Sequence, residues 1–315
     1  MNVTASAMDL QPPGADRRAG ELSARLSAHA VVRTREPLAR RTTLRVGGPA
    51  DIYVEPASES DLATVLAFCG EQKLPFFVLG RGSNLLIKDS GFRGVVICLA
   101  HANFSHIDIL GARIHCGAGA RLKAVAVEAK RNGLSGFEFL EGIPGSVGGA
   151  LRMNAGAMGG AMFEVVESVR LMDAAGKIKE PHPSELGITY RSCAALKGSI
   201  ALEAVLRGEP AAREMIEQRM NEFSRKRWQS QPAAPSAGCI FKNPTTIPAG
   251  KLVDELGLKG ARVGGACVSA EHGNFIVNDG TATAKDVLDL IELIRRRASD
   301  LRAIRLETEV EIVGE

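Results

Sequence analysis

The tightest constraint on this chain is a glycine-dense stretch at residues 142–160. There Gly142-Ile143-Pro144-Gly145-Ser146-Val147-Gly148-Gly149-Ala150 is followed closely by Asn154-Ala155-Gly156. Glycine loses more backbone entropy on ordering than any other residue, so many of them in an apolar stretch need a reason. Either packed elements cross tightly there, or something flat or phosphorylated lies against the main chain. A second loop, Gly80-Arg81-Gly82-Ser83-Asn84, follows directly on the apolar run Phe76–Leu79, which reads as a buried strand. Backbone N–H groups at such a strand end can converge on an anion. Alone, a loop of this kind is more often just a turn. Leu85 stands where the third glycine of the dinucleotide fingerprint belongs, so that motif is excluded. Two such loops can together hold one extended dinucleotide.

Around these loops the apolar pattern alternates between strand and helix periods, which predicts mixed α/β layers. Ser58 opens a helix with Leu62, Val65, Leu66 and Cys69 on one face; residues 120–132 read as a helix ended by Gly133. Strands are predicted at Val95–Cys98, Ile114–Cys116 and Ile200–Leu206, with a hairpin around Ala174-Ala175-Gly176. Residues 211–226 and 284–297 have helical periodicity, the second opening on the capping-box pattern Thr283-x-x-Asp286. Arg305 to Val313 alternates charged and apolar residues, as a strand with one polar face does.

With 315 residues the chain can form two medium domains with a cleft between them. The 39 basic and 36 acidic residues are spread along it, which leaves no footprint for a nucleic-acid surface. No window is apolar for long enough to span a bilayer, so no membrane partner is expected. The one basic run, Arg225-Lys226-Arg227, is either a solvated helix end or a local site for a phosphorylated ligand. Six cysteines without a C-x-x-C pair imply reduced thiols, hence a cytoplasmic location, and no metal site is expected. The first 30 residues, with Gln11-Pro12-Pro13-Gly14, read as a mobile arm.

Three segments could carry chemistry. Pro235-Ser236-Ala237-Gly238-Cys239-Ile240-Phe241-Lys242-Asn243-Pro244 sets a thiol and a hydroxyl among glycine, lysine and asparagine. A free thiol, with a reference pKa of about 8.5, gives up a proton far more easily than an alcohol. A lone cysteine is usually only a buried hydrophobe, and composition does not single out Cys239. Tyr190-Arg191 and the period-two carboxylates Glu307, Glu309 and Glu311 complete the set; the carboxylates suit the wet face of an edge strand equally well.

In order along the chain these segments resemble the UDP-N-acetylenolpyruvoylglucosamine reductase family (MurB, also called UDP-N-acetylmuramate dehydrogenase). The resemblance spans about residues 31–313. It rests on Thr42-Thr43-Leu44-Arg45-Val46-Gly47-Gly48-Pro49-Ala50, Gly80 to Leu86, Gly142 to Gly156, Tyr190-Arg191, Ser236 to Pro244, His272-Gly273-Asn274-Phe275 and Leu306-Glu307-Thr308-Glu309-Val310. It implies an α+β (mixed α/β) fold. A flexible arm at 1–30 would precede an FAD-binding region of the vanillyl-alcohol-oxidase/PCMH type at 31–208. A smaller α/β substrate-binding domain at 209–303 would follow, with a C-terminal strand at 304–315 returning to the active site. The short span after Asn243 leaves no room for the insertion that carries a capping tyrosine, which places the chain in the second subclass.

The resemblance implies FAD as cofactor, NADPH as co-substrate and reduction of UDP-N-acetylglucosamine enolpyruvate to UDP-N-acetylmuramate, by a monomer, in peptidoglycan synthesis. Cofactor contacts would come from Gly80, Arg81, Gly82, Ser83, Asn84, Leu85, Gly142, Ile143, Pro144, Gly145, Ser146, Gly149, Ala150, Asn154 and Gly156. Tyr190, Arg227 and Asn243 would contact the substrate. Arg191 and Glu309 would hold and stabilise the substrate carboxylate, and Cys239, where many members have serine, would deliver the proton. Sliding the last strand by two residues would exchange Glu309 for Glu307 or Glu311. Two positions depart from the family pattern: Arg152, before Met153-Asn154, and Glu311, where a basic residue is common. Two rival readings are another flavoprotein oxidase or dehydrogenase of the superfamily, and a non-catalytic flavin- or nucleotide-sugar-binding protein.

Overall fold

The computed structural model describes residues 14–315. The first sheet runs in the order Val31–Pro37, Pro49–Glu55, Phe92–Ile97, Phe76–Val78; the first pair is antiparallel and the other two are parallel. Helix α1 (Ala15–Ser23) lies at its open edge and helix α2 (Glu59–Glu71) covers it, burying Leu62, Val65, Leu66 and Cys69 as their spacing predicts. Within the arm expected at residues 1–30, residues 15–23 instead form α1, whose Leu22 is fully buried; residues 1–13 lie outside the described residues. Asp61 ties this corner together, accepting from Ser27 N at 2.9 Å, Ser27 Oγ at 2.8 Å and Ala57 N at 3.1 Å.

A second, antiparallel sheet has the order Ile178–Lys179, Val166–Asp173, Ser199–Arg207, Arg113–Gly117, Ile107–Leu110. Helices α3 (Leu122–Arg131) and α4 (Val147–Met153) pack against it, and one hydrophobic core runs through both sheets. Helix α5 (Arg213–Ser230) buries Ile216 and Met220 in that same core. Expected with the substrate domain from residue 209, α5 instead packs on the preceding region, because its apolar stripe meets the 138–142 turn and α3.

The third sheet, Ser236–Cys239, Phe275–Asn278, Ala266–Val268, Arg262–Val263, is covered by α6 (Ala249–Glu255) and α7 (Ala284–Arg302). The Thr283 and Asp286 capping box opens α7 as the sequence predicts. This lobe's core also takes in Leu44, Val46 and Leu86 from the first lobe. The segment before Leu44 is fastened by Thr43 Oγ1, which donates to Ser236 O at 2.7 Å; the buried Asn278 donates to Leu44 O at 3.0 Å. Gly47 and Gly48 let the same segment cross the 87–91 turn, since a Cβ on either would stand within 2.5 Å of Ile87 or Asp89 atoms.

Of the alternating segment Arg305–Val313, only Glu311–Val313 is strand, paired in parallel with Leu85–Ile87. Leu306 and Val310 instead turn into the third lobe's core. Tertiary burial overrides the period-two pattern here.

Burial on its own would raise the Asp61 carboxyl, but bonds from Ser27, Ala57 and Ser58 outweigh it and hold the group below its ordinary range. Its stabilisation is present above the unfolded value of about 3.9 and is lost as pH falls through the lower folded value. Asp61→Ala should cost about 1–3 kcal/mol, because it strands buried donors. The check is a lower urea midpoint at neutral pH with unchanged slope.

Candidate active site

The three lobes enclose a cleft of about 1610 Å³. That exceeds the ~300–1,000 Å³ usual for one small ligand, so a cofactor and a substrate can lie in it together. Both glycine loops form its wall, and they meet: a Cβ on Gly80 would stand 2.6 Å from Ser146 Oγ. Ser146 is buried and caps α4, its Oγ accepting from Gly149 N at 3.4 Å. Sequence alone left two explanations for the glycines, and each applies to different residues. Gly82, at φ +63°, packs on backbone, because its Cβ would sit 2.3 Å from Arg41 O. Gly149 is exposed in the first turn of α4 and has only its own cap oxygen near, at 3.4 Å. Nothing in the protein demands glycine there, and one in a helix costs about 1 kcal/mol relative to alanine. A flat group pressed on that backbone does demand it. The cleft residues thus fit an extended dinucleotide.

Two predicted cofactor residues also bond to other segments of the chain. Asn84 Nδ2 donates to Glu309 O at 3.1 Å, while its carbonyl accepts from Glu311 N at 3.0 Å, so it grips the C-terminal segment. Asn154 is not part of the cleft wall; in the left-handed conformation at the end of α4, its amide accepts from Phe163 N and donates to Thr189 O, both at 3.3 Å. Asn84 and the other predicted cofactor positions line the cleft, as do Tyr190, Arg191, Arg227, Cys239, Asn243 and Glu309.

Arg191 is held under strain, with φ at +114°, a conformation that costs a side-chain-bearing residue about 1–3 kcal/mol. Its guanidinium stacks 4.7 Å from the Tyr190 ring centre and donates from Nη1 to Asn154 O at 3.2 Å. Glu309 Oε1 lies 3.4 Å from Nε as an ion pair, yet Nε is buried and makes no hydrogen bond. A strained, half-buried cation with one buried donor unspent suits a ligand anion.

Burial raises the Glu309 carboxyl above its usual range despite the opposing charges of Arg191 and Lys242. Cys239 ends the strand Ser236–Cys239, where a bulge and Gly238 at φ +76° re-aim the chain toward the cleft. Its thiol is pushed up to about 12, first by burial and next by the Glu309 charge, with Arg191 and a bond to Asn274 opposing. A thiol in this setting keeps its proton at neutral pH, which suits a donor. It also narrows the gap in acidity from a serine hydroxyl that the free-thiol value suggests.

Arg227, in the last turn of α5, is half buried and makes no ion pair among the described residues; burial lowers its pKa, against the pull of Glu141. Asn243 has its amide oxygen on Ala249 N at 3.0 Å, leaving the NH₂ for a ligand. Sequence reasoning gave Asn274 no role, although its motif was noted. Buried behind Cys239, it accepts from Phe241 N at 2.9 Å and donates to Phe241 O at 2.8 Å. Trp228, the chain's single tryptophan, was also missed; it stands 66% exposed at the cleft.

Known proteins match on both regions. Residues 231–313 match the family described as UDP-N-acetylenolpyruvoylglucosamine reductase, C-terminal domain, and residues 50–180 the FAD binding domain family. The UDP-N-acetylenolpyruvoylglucosamine reductase of Bacillus velezensis is 44% identical over 282 residues, 89% of this chain and 93% of its own. That of Clostridioides difficile is 44% identical over 286 residues, 90% and 94% of the two chains. The crystal structure of the Thermus caldophilus reductase superposes with a TM-score of 0.81 at 41% identity, covering 90% of this chain and all of that one.

Gly149→Leu should leave the thermal midpoint within a few degrees of the parent, since no protein atom crowds the site, yet yield a protein that no longer retains flavin. A yellow Gly149→Leu protein with parent flavin content would return this glycine to a packing role.

Proposed function

Because the chain belongs to the UDP-N-acetylenolpyruvoylglucosamine reductase family, we propose that it catalyses the NADPH-driven, FAD-dependent reduction of UDP-N-acetylglucosamine enolpyruvate to UDP-N-acetylmuramate in peptidoglycan synthesis. The observation that carries this reading is the meeting of Arg191, Glu309 and Cys239 in one cleft with the two glycine loops. FAD, which the two glycine loops would hold, would supply the hydride-transfer chemistry between NADPH and the enolpyruvyl double bond. All remaining tasks fall to side chains.

Hydride addition at the terminal carbon leaves carbanion character on the carbon beside the substrate carboxylate, and the charge spreads onto the carboxylate oxygens. Arg191, with Nε unspent, meets that charge by charge-assisted hydrogen bonds. Glu309, its pKa raised by burial, donates to the same oxygens in its neutral form. Cys239 then transfers its thiol proton to the carbon and regains one from solvent. Arg227 and the Asn243 amide take the diphosphate and sugar end, where a half-buried cation without an ion pair suits an anion.

We place the enzyme in the cytoplasm as a monomer. All six cysteines are free, which suits a reducing compartment, and no helix among the described residues is long and apolar enough to cross a membrane.

The purified protein should be yellow, bleach with NADPH and regain colour with the enolpyruvyl substrate. A colourless protein that takes up no FAD would sink the reading, and a flavoprotein bleached by an alcohol and reoxidised by oxygen instead would favour the oxidase rival. Cys239→Ala should still be reduced by NADPH but lose reoxidation by substrate at least roughly a hundredfold, the usual scale for a proton donor. Cys239→Ser should keep part of the rate.

Reoxidation by substrate should also fall as pH rises through the raised Glu309 value, because only the neutral acid donates. The Cys239 thiol, pushed up to about 12, adds no limb near neutrality. Glu309→Gln should flatten the Glu309 limb; an unchanged profile would remove Glu309 from the protonation step.

A further inference from the structure

Arg152 and Glu311 are partners across the cleft wall. Arg152 Nη2 donates to Glu311 Oε1 at 2.7 Å, and Arg152 Nη1 to Leu196 O at 2.8 Å, so the guanidinium is anchored on two sides. Either residue alone would put an unaccompanied charge in the cleft wall. Both side chains are about two-fifths exposed, at 40% and 42%, so the pair adds little to stability and its value is geometric.

The geometry it imposes falls on the groups that carry charge in the reaction. Arg152 sits in the last turn of α4, two residues before Asn154, whose carbonyl receives Arg191 Nη1. Glu311 lies two residues after Glu309, whose carboxylate stands 3.4 Å from Arg191 Nε. The contacts therefore close a ring: Arg152 to Glu311, along the chain to Glu309, across to Arg191, to Asn154, and back along α4. Asn84 grips the backbone at residues 309 and 311 and so sets their position along the first lobe; it does not set their distance from α4. Arg152 does.

We propose that the Arg152–Glu311 pair is a positioning clamp. It holds the C-terminal segment against the end of α4 at the separation where Glu309 faces Arg191. The inference rests on the roles given above to Arg191 and Glu309.

The test compares Arg152→Ala, Glu311→Ala and the double variant, each loaded with FAD and followed through both half-reactions by rapid mixing. Reduction by NADPH should proceed at the parent rate in all three. Reoxidation by substrate should fall at least roughly tenfold in each single variant, as expected when a reacting group is displaced by a fraction of an ångström to an ångström. The double variant should lose no more than the worse single one, because a broken clamp cannot be broken twice. Reoxidation within twofold of the parent, losses that multiply in the double variant, or equal losses in both half-reactions would each overturn the clamp. Arg152→Lys and Glu311→Gln provide the same comparison if an alanine variant does not fold. Glu309→Gln separates the two layers of inference: parent-rate reoxidation there would refute the role of Glu309 itself, whereas a loss there with normal alanine variants would refute only the clamp.

Discussion

The site depends on the last dozen residues returning across the molecule. Glu311–Val313 pairs in parallel with Leu85–Ile87, a strand that follows directly on one of the two glycine loops. Without that pairing Glu309 would stay on the third lobe and Arg191 on the second, each an uncompensated charge at a cleft wall. With it, a carboxylate from the end of the chain, a guanidinium from its middle and a thiol from the third sheet face one space. The segment is secured from both sides: Leu306 and Val310 enter the third lobe's core, Glu309 N donates to Ile240 O at 2.8 Å, and Asn84 takes hold from the first lobe.

That docking is also electrostatic. Burial makes Glu309 a weaker acid and Cys239 a much weaker one, so the thiol keeps its proton beside a fixed cation. Such a site gains when an anion arrives, since the Arg191 donor left without a partner is then satisfied. The strain at Arg191 and the exposed glycine in α4 belong to the same logic. They weaken the free protein slightly and are repaid only when ligands lie in the cleft.

The lobes are joined by interpenetration. Leu44, Val46 and Leu86 complete a core made mostly of residues after 236, while α5 completes the core of the residues before it. Relative motion of the third lobe would have to withdraw those side chains, so the cleft is held open at nearly fixed width by apolar packing. Shape at the reacting centre then falls to shorter-range contacts such as the Arg152 and Glu311 pair.

Local pattern reached far into this protein. The apolar face of α2, the capped start of α7, the hairpin at Ala174-Ala175-Gly176 and the glycine loops were all legible, because each depends on neighbours within a few residues. Matched motifs pointed to Arg191, Cys239 and Glu309, since chemistry restricts the residue types that can occupy such positions. Several features were not legible, because contacts between residues far apart in sequence set them. The bonds that tie Asn84 to residue 309 and Asn154 to residue 189 join segments distant in the chain. Arg305–Val313 alternates like a long strand, yet only three of its residues form one, because two of its apolar side chains were needed in another core. Arg152 and Glu311 looked like two unrelated departures until a chain separation of 159 positions was folded to bring them within 2.7 Å. Sequence by itself determined the elements and the kinds of chemistry available. Tertiary structure decided which groups meet, because burial and charge pairing act through space and take no account of separation along the chain.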